Sequence, residues 1–305
     1  MKVLFMGSPG ISLPFLNFIY NKNCDIMVFT QKDKVRGRGK KPEPTAVSKR
    51  AEELGLPVHK TSIKSKESFD IIKRFCPDIF FVVAYGQILP PEILMLPKLY
   101  PLNVHFSLLP EYRGATPVNT ALLDGKKTTG TTIMIMDKGM DTGDILLYEK
   151  CSIEPQDNAS SLFEKLIKLS LSLLDENWTE ILTGKIEAKA QTGTPCYTKL
   201  IKKEDIKINF NNNSEAVHNK IRAFNFEPGT KTIFRKKTLF IQSSENLSGI
   251  SGEAGRILSV NKKFFTVGCL QGALKIITVK PEGKKSMSAE SFINGYKPVT
   301  GEILG

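Results

Sequence analysis

The segment Asp78–Ala84, DIFFVVA, carries no charge after its first residue. A strand of that kind has no polar face to offer to water. Both faces must be covered, and helices packed above and below a parallel sheet do this. The chain supplies the other parts of such a fold in order. Lys2–Met6 is a short apolar run and Gly7-Ser8-Pro9-Gly10 is a turn. Ile11–Tyr20 reads as a helix with Leu13, Leu16, Phe18 and Ile19 available for one face, and Asp25–Phe29 as a second strand. Strand, turn, helix, strand predicts the start of an α/β, Rossmann-like doubly wound domain. Thr45–Leu54, closed by Gly55, and Lys66–Phe75 read as further helices. Ala159–Leu182 reads as one long helix whose leucines form a core stripe. The first turn lacks G-x-G-x-x-G, and GKKS at 283–286 lacks the upstream glycine of a phosphate loop, so neither a dinucleotide nor ATP is implied.

From Ile206 the pattern changes. One helix is predicted over Ser214–Phe224. Short strands then follow at Lys231–Phe234, Thr238–Ile241, Gly255–Val260, Phe264–Val267 and Ala273–Val279, with Gly, Asn or Lys at the turns. Closely spaced short strands predict a small C-terminal β-barrel, OB-like in size. Composition therefore divides the chain into a domain over 1–189, a linker over 190–205 and a barrel over 206–305. The net charge of +12 is uneven: residues 206–305 hold 15 Lys+Arg against 7 Asp+Glu. A basic end domain favours a polyanionic partner. Lys236, Lys237, Lys262 and Lys263 sit near strand ends, where such a barrel tracks a nucleic-acid backbone. The segment Thr30–Pro44, TQKDKVRGRGKKPEP, has no apolar period and reads as a long basic loop. By composition it is equally a solvated insertion or a phosphate clamp, with Arg38 as the bidentate donor, Arg36 beside it, and Lys40 and Lys41 as point charges.

The five cysteines are scattered and never form C-x-x-C, which argues for reduced thiols in a cytoplasmic protein without a zinc site. No run approaches a membrane span, and MKVLFMGSPG is too short an apolar run for a signal peptide. No self-complementary apolar face stands out, so a monomer is expected.

Two stretches carry chemistry: PLNVHFSLLPEYRGATPVN at 101–119 and MDKGMDTGD at 136–144. Leu102 and Val104 suggest a buried strand, and alternation then points Asn103 and His105 the same way, roughly 6–7 Å apart. An amide donor beside a titratable imidazole suits a reaction in which a carbonyl oxygen gains charge. Asp141 lies in a glycine-rich turn between strand-like runs at Thr131–Met136 and Ile145–Tyr148, from which it can return a carboxylate to the same cleft.

Together these strings resemble the active-site signature of the folate-dependent formyltransferases. The resemblance implies catalytic roles for Asn103, His105 and Asp141, no metal, and 10-formyltetrahydrofolate as the formyl donor. It places Gln87, Ile88 and Leu89, in AYGQILP, and Ser107, Leu108, Leu109 and Pro110 at the folate. GRGKK in the basic loop, IRAFNFEPGT and KPEGKKSMSAESFINGY resemble the methionyl-tRNA formyltransferase branch, whose acceptor is methionyl-initiator tRNA. A sugar-nucleotide formyltransferase, a formyltetrahydrofolate hydrolase and a catalytically idle RNA-binding protein share the scaffold and remain alternatives.

Overall fold

The computed structural model describes residues 1–35, 42–225 and 229–305. In chain order the elements are β1 (Lys2–Gly7), α1 (Leu13–Asn21), β2 (Asp25–Phe29), β3 (Lys34–Val35), β4 (Pro42–Glu43), α2 (Ala46–Glu53), β5 (Val58–His59), α3 (Lys66–Phe75), β6 (Ile79–Val83), α4 (Pro91–Leu94), β7 (Tyr100–His105), α5 (Pro117–Leu123), β8 (Thr128–Ile135), β9 (Ile145–Ser152), α6 (Ala159–Glu176) and α7 (Trp178–Thr183). Then follow α8 (Ser214–Ala223), β10 (Thr230–Phe234), β11 (Lys237–Leu247), β12 (Ile257–Val260), β13 (Phe265–Gly268), β14 (Ala273–Pro281), β15 (Met287–Ser288) and α9 (Ala289–Tyr296). Two compact units share the chain. Met1–Gly114, Gly130–Cys151 and Glu164–Tyr197 form the first, and Ala115–Thr129, Ser152–Phe163 and Thr198–Gly305 the second.

The sheet of the first unit runs β5-β2-β1-β6-β7-β8-β9. Its β1, β2, β5, β6 and β7 are parallel, and β8 runs antiparallel to β7. β6 is buried along its whole length, as its uncharged sequence requires. It pairs with β1 from Val3↔Ile79 to Gly7↔Val83. The chain leaves β1 toward β2 on one side and returns to β6 on the other, so the carboxyl ends of β1, β6 and β7 border the crevice where doubly wound sheets bind ligands. Helix starts follow from capping chemistry. Thr45 Oγ1 accepts from Ser48 N at 3.0 Å ahead of α2, and Ser65 Oγ from Ser68 N at 3.1 Å ahead of α3. Phe15 of α1 packs on Phe81 of β6 and on Phe106, ring centroids 6.3 and 6.2 Å apart, which ties the first helix to the end of β7.

The single helix expected over 159–182 is two. Asn177 leaves helical geometry (φ −111°), and its Nδ2 donates to the Leu173 carbonyl at 2.9 Å. A short amide side chain competes with the backbone in this way. The break lets Trp178 meet Phe18 edge-on at 5.3 Å.

In the second unit the antiparallel order is β10-β11-β14-β13-β12, with β15 on β14. The β11 strand is eleven residues long, well beyond the expected Thr238–Ile241. Its register slips between Ile241 and Ser244, and such a bulge bends one continuous strand while breaking the alternation a sequence reader follows. The final residues join the outer strands. Glu302 and Leu304 exchange hydrogen bonds with Ile257 and Gly255 on the β12 side, and Gly305 N donates to Ile233 O of β10 at 3.1 Å. Helix α9, which the strand pattern did not announce, is capped by Ser288 and buries Phe292 against Phe234 and Phe265.

His218 on α8 is half-buried, with Nδ1 3.0 Å from Ser244 Oγ. Burial first, then the neighbouring Arg222 cation, holds its imidazole below the ordinary value of 6.5. The unfolded ring therefore binds protons that the folded ring refuses. Stability is full above about pH 6.5, falls as pH drops through it, and levels below the depressed folded value. His59, also lowered by burial, acts in the same direction. In His218→Gln the urea midpoint is expected to fall less than in the parent between about pH 7.5 and about pH 5.5, the His59 share being common to both.

Candidate active site

The β7 strand delivers Asn103 and His105 to the same face of the sheet at its carboxyl end, opposite Met134 and Thr132 of β8. His105 is 5% exposed. Its Nε2 lies 2.9 Å from the Tyr112 carbonyl, which can only accept, so Nε2 carries a hydrogen. Nδ1 faces Asp141 Oδ2 at 3.6 Å. Asp141 in turn accepts from Gly114 N at 2.7 Å through the same Oδ2. The half-buried Asn103 carboxamide makes no hydrogen bond among the described residues, so its N–H groups remain available to a ligand. Because Nε2 is committed to Tyr112, Nδ1, on the Asp141 side, is the ring nitrogen left for a ligand. That atom accepts a proton when the ring is neutral and donates one when it is charged.

The backbone around these groups is strained. Ala84 after β6, Tyr112 and Asp141 all have positive φ, at 48°, 57° and 52°. Left-handed geometry costs a residue with a Cβ about 1–2 kcal/mol, and it persists only where surrounding contacts determine it. Those contacts are present. Thr132 Oγ1 donates to Ser107 O at 2.7 Å and accepts from Leu109 N at 3.3 Å, which fixes the turn after β7. A Cβ on Gly130 would strike Leu108 and the Glu149 carbonyl, so β8 can pass this close only with glycine there. Asp137 Oδ1 accepts from Gly139 N at 3.0 Å and Thr142 Oγ1 at 2.6 Å, which closes the loop that carries Asp141.

The structure separates the residues assigned to the folate by what each has left to offer. Gln87 has both ends of its side-chain amide held, the oxygen by Ile63 N and the nitrogen by the Tyr85 hydroxyl, both at 3.1 Å. Ile88 is 72% exposed, whereas Leu89 is buried in the core beside β6. Ser107 is fully buried and donates to the Glu111 carbonyl at 2.6 Å, and among the described residues no base is hydrogen-bonded to it, unlike an activated nucleophile. Leu108 and Leu109 line a cavity of about 750 Å³ with Ile145–Tyr148 and Lys189. Pro110 is buried and joined to Leu109 by a cis peptide bond.

Of the cationic candidates, Arg36, Arg38, Lys40 and Lys41 lie outside the described residues. Lys236 and Lys237 are exposed at the β10–β11 turn, and Lys262 and Lys263 at the turn between β12 and β13. The pairings Leu239↔Pro281 and Phe265↔Ile276 put both turns, and exposed Lys284 and Lys285, toward the end of the sheet where β14 finishes. Arg235 beside them is committed to Glu302 and to the Tyr296 and Lys297 carbonyls. Sequence reasoning missed Tyr112, Gly114, Arg113 and Gln191, all of which support the His105–Asp141 pair. The first three lie within the motif at 101–119 without a residue type that marks them, and Gln191 has no sequence signal.

An amide on β7, an imidazole two residues on and a carboxylate facing that imidazole thus stand at the carboxyl edge of a doubly wound sheet. The chain belongs to the formyl transferase family: the family so described matches residues 1–176, and its C-terminal domain matches 200–297. The chain is similar to the methionyl-tRNA formyltransferase of Geobacter sulfurreducens, 37% identical over 308 residues, with 100% of this chain and 97% of that protein covered. It is 39% identical over 297 residues to the methionyl-tRNA formyltransferase of Thermodesulfovibrio yellowstonii, covering 97% of this chain and 96% of that one. Among solved structures, WlaRD, a sugar 3N-formyl transferase studied with dTdp and 5-N-Formyl-THF, aligns with a TM-score of 0.68 at 23% identity over 93% of this chain and 99% of that one, a likeness of fold.

Nitrogen-resolved NMR of the imidazole checks the site directly. At a pH where His105 is neutral, the expected signal is the Nε2–H tautomer with a bare Nδ1; the opposite tautomer would contradict the Tyr112 hydrogen bond.

Proposed function

We propose that this chain transfers the formyl group of 10-formyltetrahydrofolate to the α-amino group of methionyl-initiator tRNA, as a cytoplasmic monomer. The observation that carries this reading is similarity along both parts of the chain to proteins named methionyl-tRNA formyltransferase. The site's chemistry supports it. The amine adds to the formyl carbon, the formyl oxygen gains negative charge, and the unbonded Asn103 amide donates to it. Nδ1 of His105, with Asp141 at 3.6 Å, takes the proton from the amine and returns one to the departing nitrogen, directly or through water. The residues around Gln87–Leu89 fit a donor held by backbone groups, since the Gln87 side chain is already engaged.

The acceptor's phosphates suit the basic turns at one end of the second unit's sheet, and the Arg and Lys residues of the segment 36–41 suit them by charge alone. A sugar-nucleotide acceptor would have no use for either. The test is a mixture of the protein, 10-formyltetrahydrofolate and competing acceptors: N-formylmethionyl-tRNA is the expected product, and a formylated amino-sugar nucleotide or free formate would overturn the reading.

Asn103→Ala is expected to lower turnover by about two to three orders of magnitude, the range for one oxyanion donor; near-normal turnover would remove Asn103 from the chemistry. Replacing Lys236, Lys237, Lys262 and Lys263 by Ala together is expected to weaken tRNA binding and flatten its salt dependence, by up to about 0.7–0.9 in log–log slope for each phosphate that is no longer neutralised. Folate affinity in that variant is expected to be unchanged.

A further inference from the structure

The stretch 190–197, whose composition reads as linker, belongs to the first unit and lies along the catalytic loops. Gln191 Nε2 donates to the carbonyls of Asp141 and Gly143, at 2.9 and 2.8 Å. Its Oε1 accepts from Arg113 Nε and Nη2, at 3.2 and 2.7 Å. Both amide hydrogens and the amide oxygen are used, and exchanging the two ends would lose all four bonds. Arg113 lies between the two residues that hold the reacting pair: Tyr112, whose carbonyl accepts from His105, and Gly114, whose N–H binds Asp141. The same segment is anchored a second time, since Arg113 N donates to Cys196 O at 2.9 Å and Tyr112 N to Cys196 Sγ at 3.1 Å.

We infer that Gln191 is a positioning residue: its carboxamide bridges the strained Asp141 loop to Arg113 and thereby sets the separation of His105 and Asp141. The inference rests on the reaction proposed above for its kinetic consequence, but not for its geometry. Asp141 sits at φ 52°, a conformation that relaxes unless held. Within its loop the other restraints bind Asp137, Gly139 and Thr142; Gln191 holds the backbone of Asp141 itself. A charged donor makes the Arg113 side of the bridge its stronger half, so the strap is the fixed support and the loop is what it holds.

Gln191→Glu separates these two halves. A carboxylate still accepts from Arg113, so the strap stays docked, but it cannot donate to the two carbonyls. The expected result is a loss in kcat on the order of ten- to a hundredfold, from misplacement of the carboxylate, with KM for tRNA within about twofold because the Gln191 carboxamide is bonded to protein groups throughout. In an Asp141→Asn background the same substitution is expected to cost less than about twofold, because the loss acts through Asp141. The imidazole nitrogen resonances of His105 are expected to shift in Q191E at unchanged melting temperature. Should Q191E lose its cooperative unfolding transition, Gln191→Met, of similar length, removes both halves of the bridge, and the double-variant comparison with Asp141→Asn still reads whether the loss acts through Asp141. Multiplicative losses in the double variant, or unmoved His105 resonances, overturn the inference. A parent protein that formylates no methionyl-tRNA overturns the reaction instead, and the resonances still decide the geometry.

Discussion

The hydrogen bond from His105 Nε2 to the Tyr112 carbonyl is the interaction on which the site depends. It fixes which ring nitrogen turns toward Asp141, and it is made where Tyr112 passes through a left-handed conformation just after the Leu108–Pro110 turn. A strand that simply ended at His105 would leave the ring free to rotate and to offer either nitrogen. The fold avoids this by bracing the turn from β8, through Thr132, and by passing β8 beneath it at a glycine. Local strain of about 1–2 kcal/mol for each left-handed residue is thus offset by contacts made far away in sequence, the usual relation between a precise site and its scaffold.

The two-sided burial of β6 and the helices around it were legible because they depend on local composition. An uncharged run admits few environments, and the helices over 45–54 and 66–75 showed in stretches of about ten residues, the first closed by Gly55. The shared strand face of Asn103 and His105 was legible through alternation, and the approach of Asp141 to His105 through its turn between two strand-like runs and the motif resemblance. The elements that escaped reading share one physical cause. Asn177 breaks a helix by a choice between two hydrogen-bonding partners; β11 continues past a bulge that destroys its alternation; α9 follows a short strand without a long apolar face. In each, the competing local states are close in energy, and tertiary packing such as Phe292 against Phe234 and Phe265 selects one.

Gln191 marks the limit more sharply. Nothing in AQTGTP distinguishes a linker from a strap, because the residue's four bonds are to Arg113, Asp141 and Gly143, the nearest of them 48 positions away. Polar, glycine-containing segments have no periodicity from which a contact can be read. Their role is fixed by partners that the rest of the fold brings to them.

Charge shows the opposite error, in which the sequence offers too much. Arg235, Lys236 and Lys237 form one cluster on paper. In the fold Arg235 is withdrawn: its guanidinium binds Glu302 through both carboxylate oxygens, and this pairing raises the guanidinium's pKa and holds the Glu302 carboxyl below its ordinary value. It also reaches the Tyr296 and Lys297 carbonyls at the end of α9, where a cation is favoured by the helix dipole. A planar fork with four of its five N–H groups engaged has little left for a phosphate, whereas Lys236, exposed in the same turn, keeps its ammonium in water. The electrostatic footprint of this domain is therefore set less by the number of cations than by which of them the fold leaves uncommitted, and the antiparallel register then gathers those toward one end of the sheet.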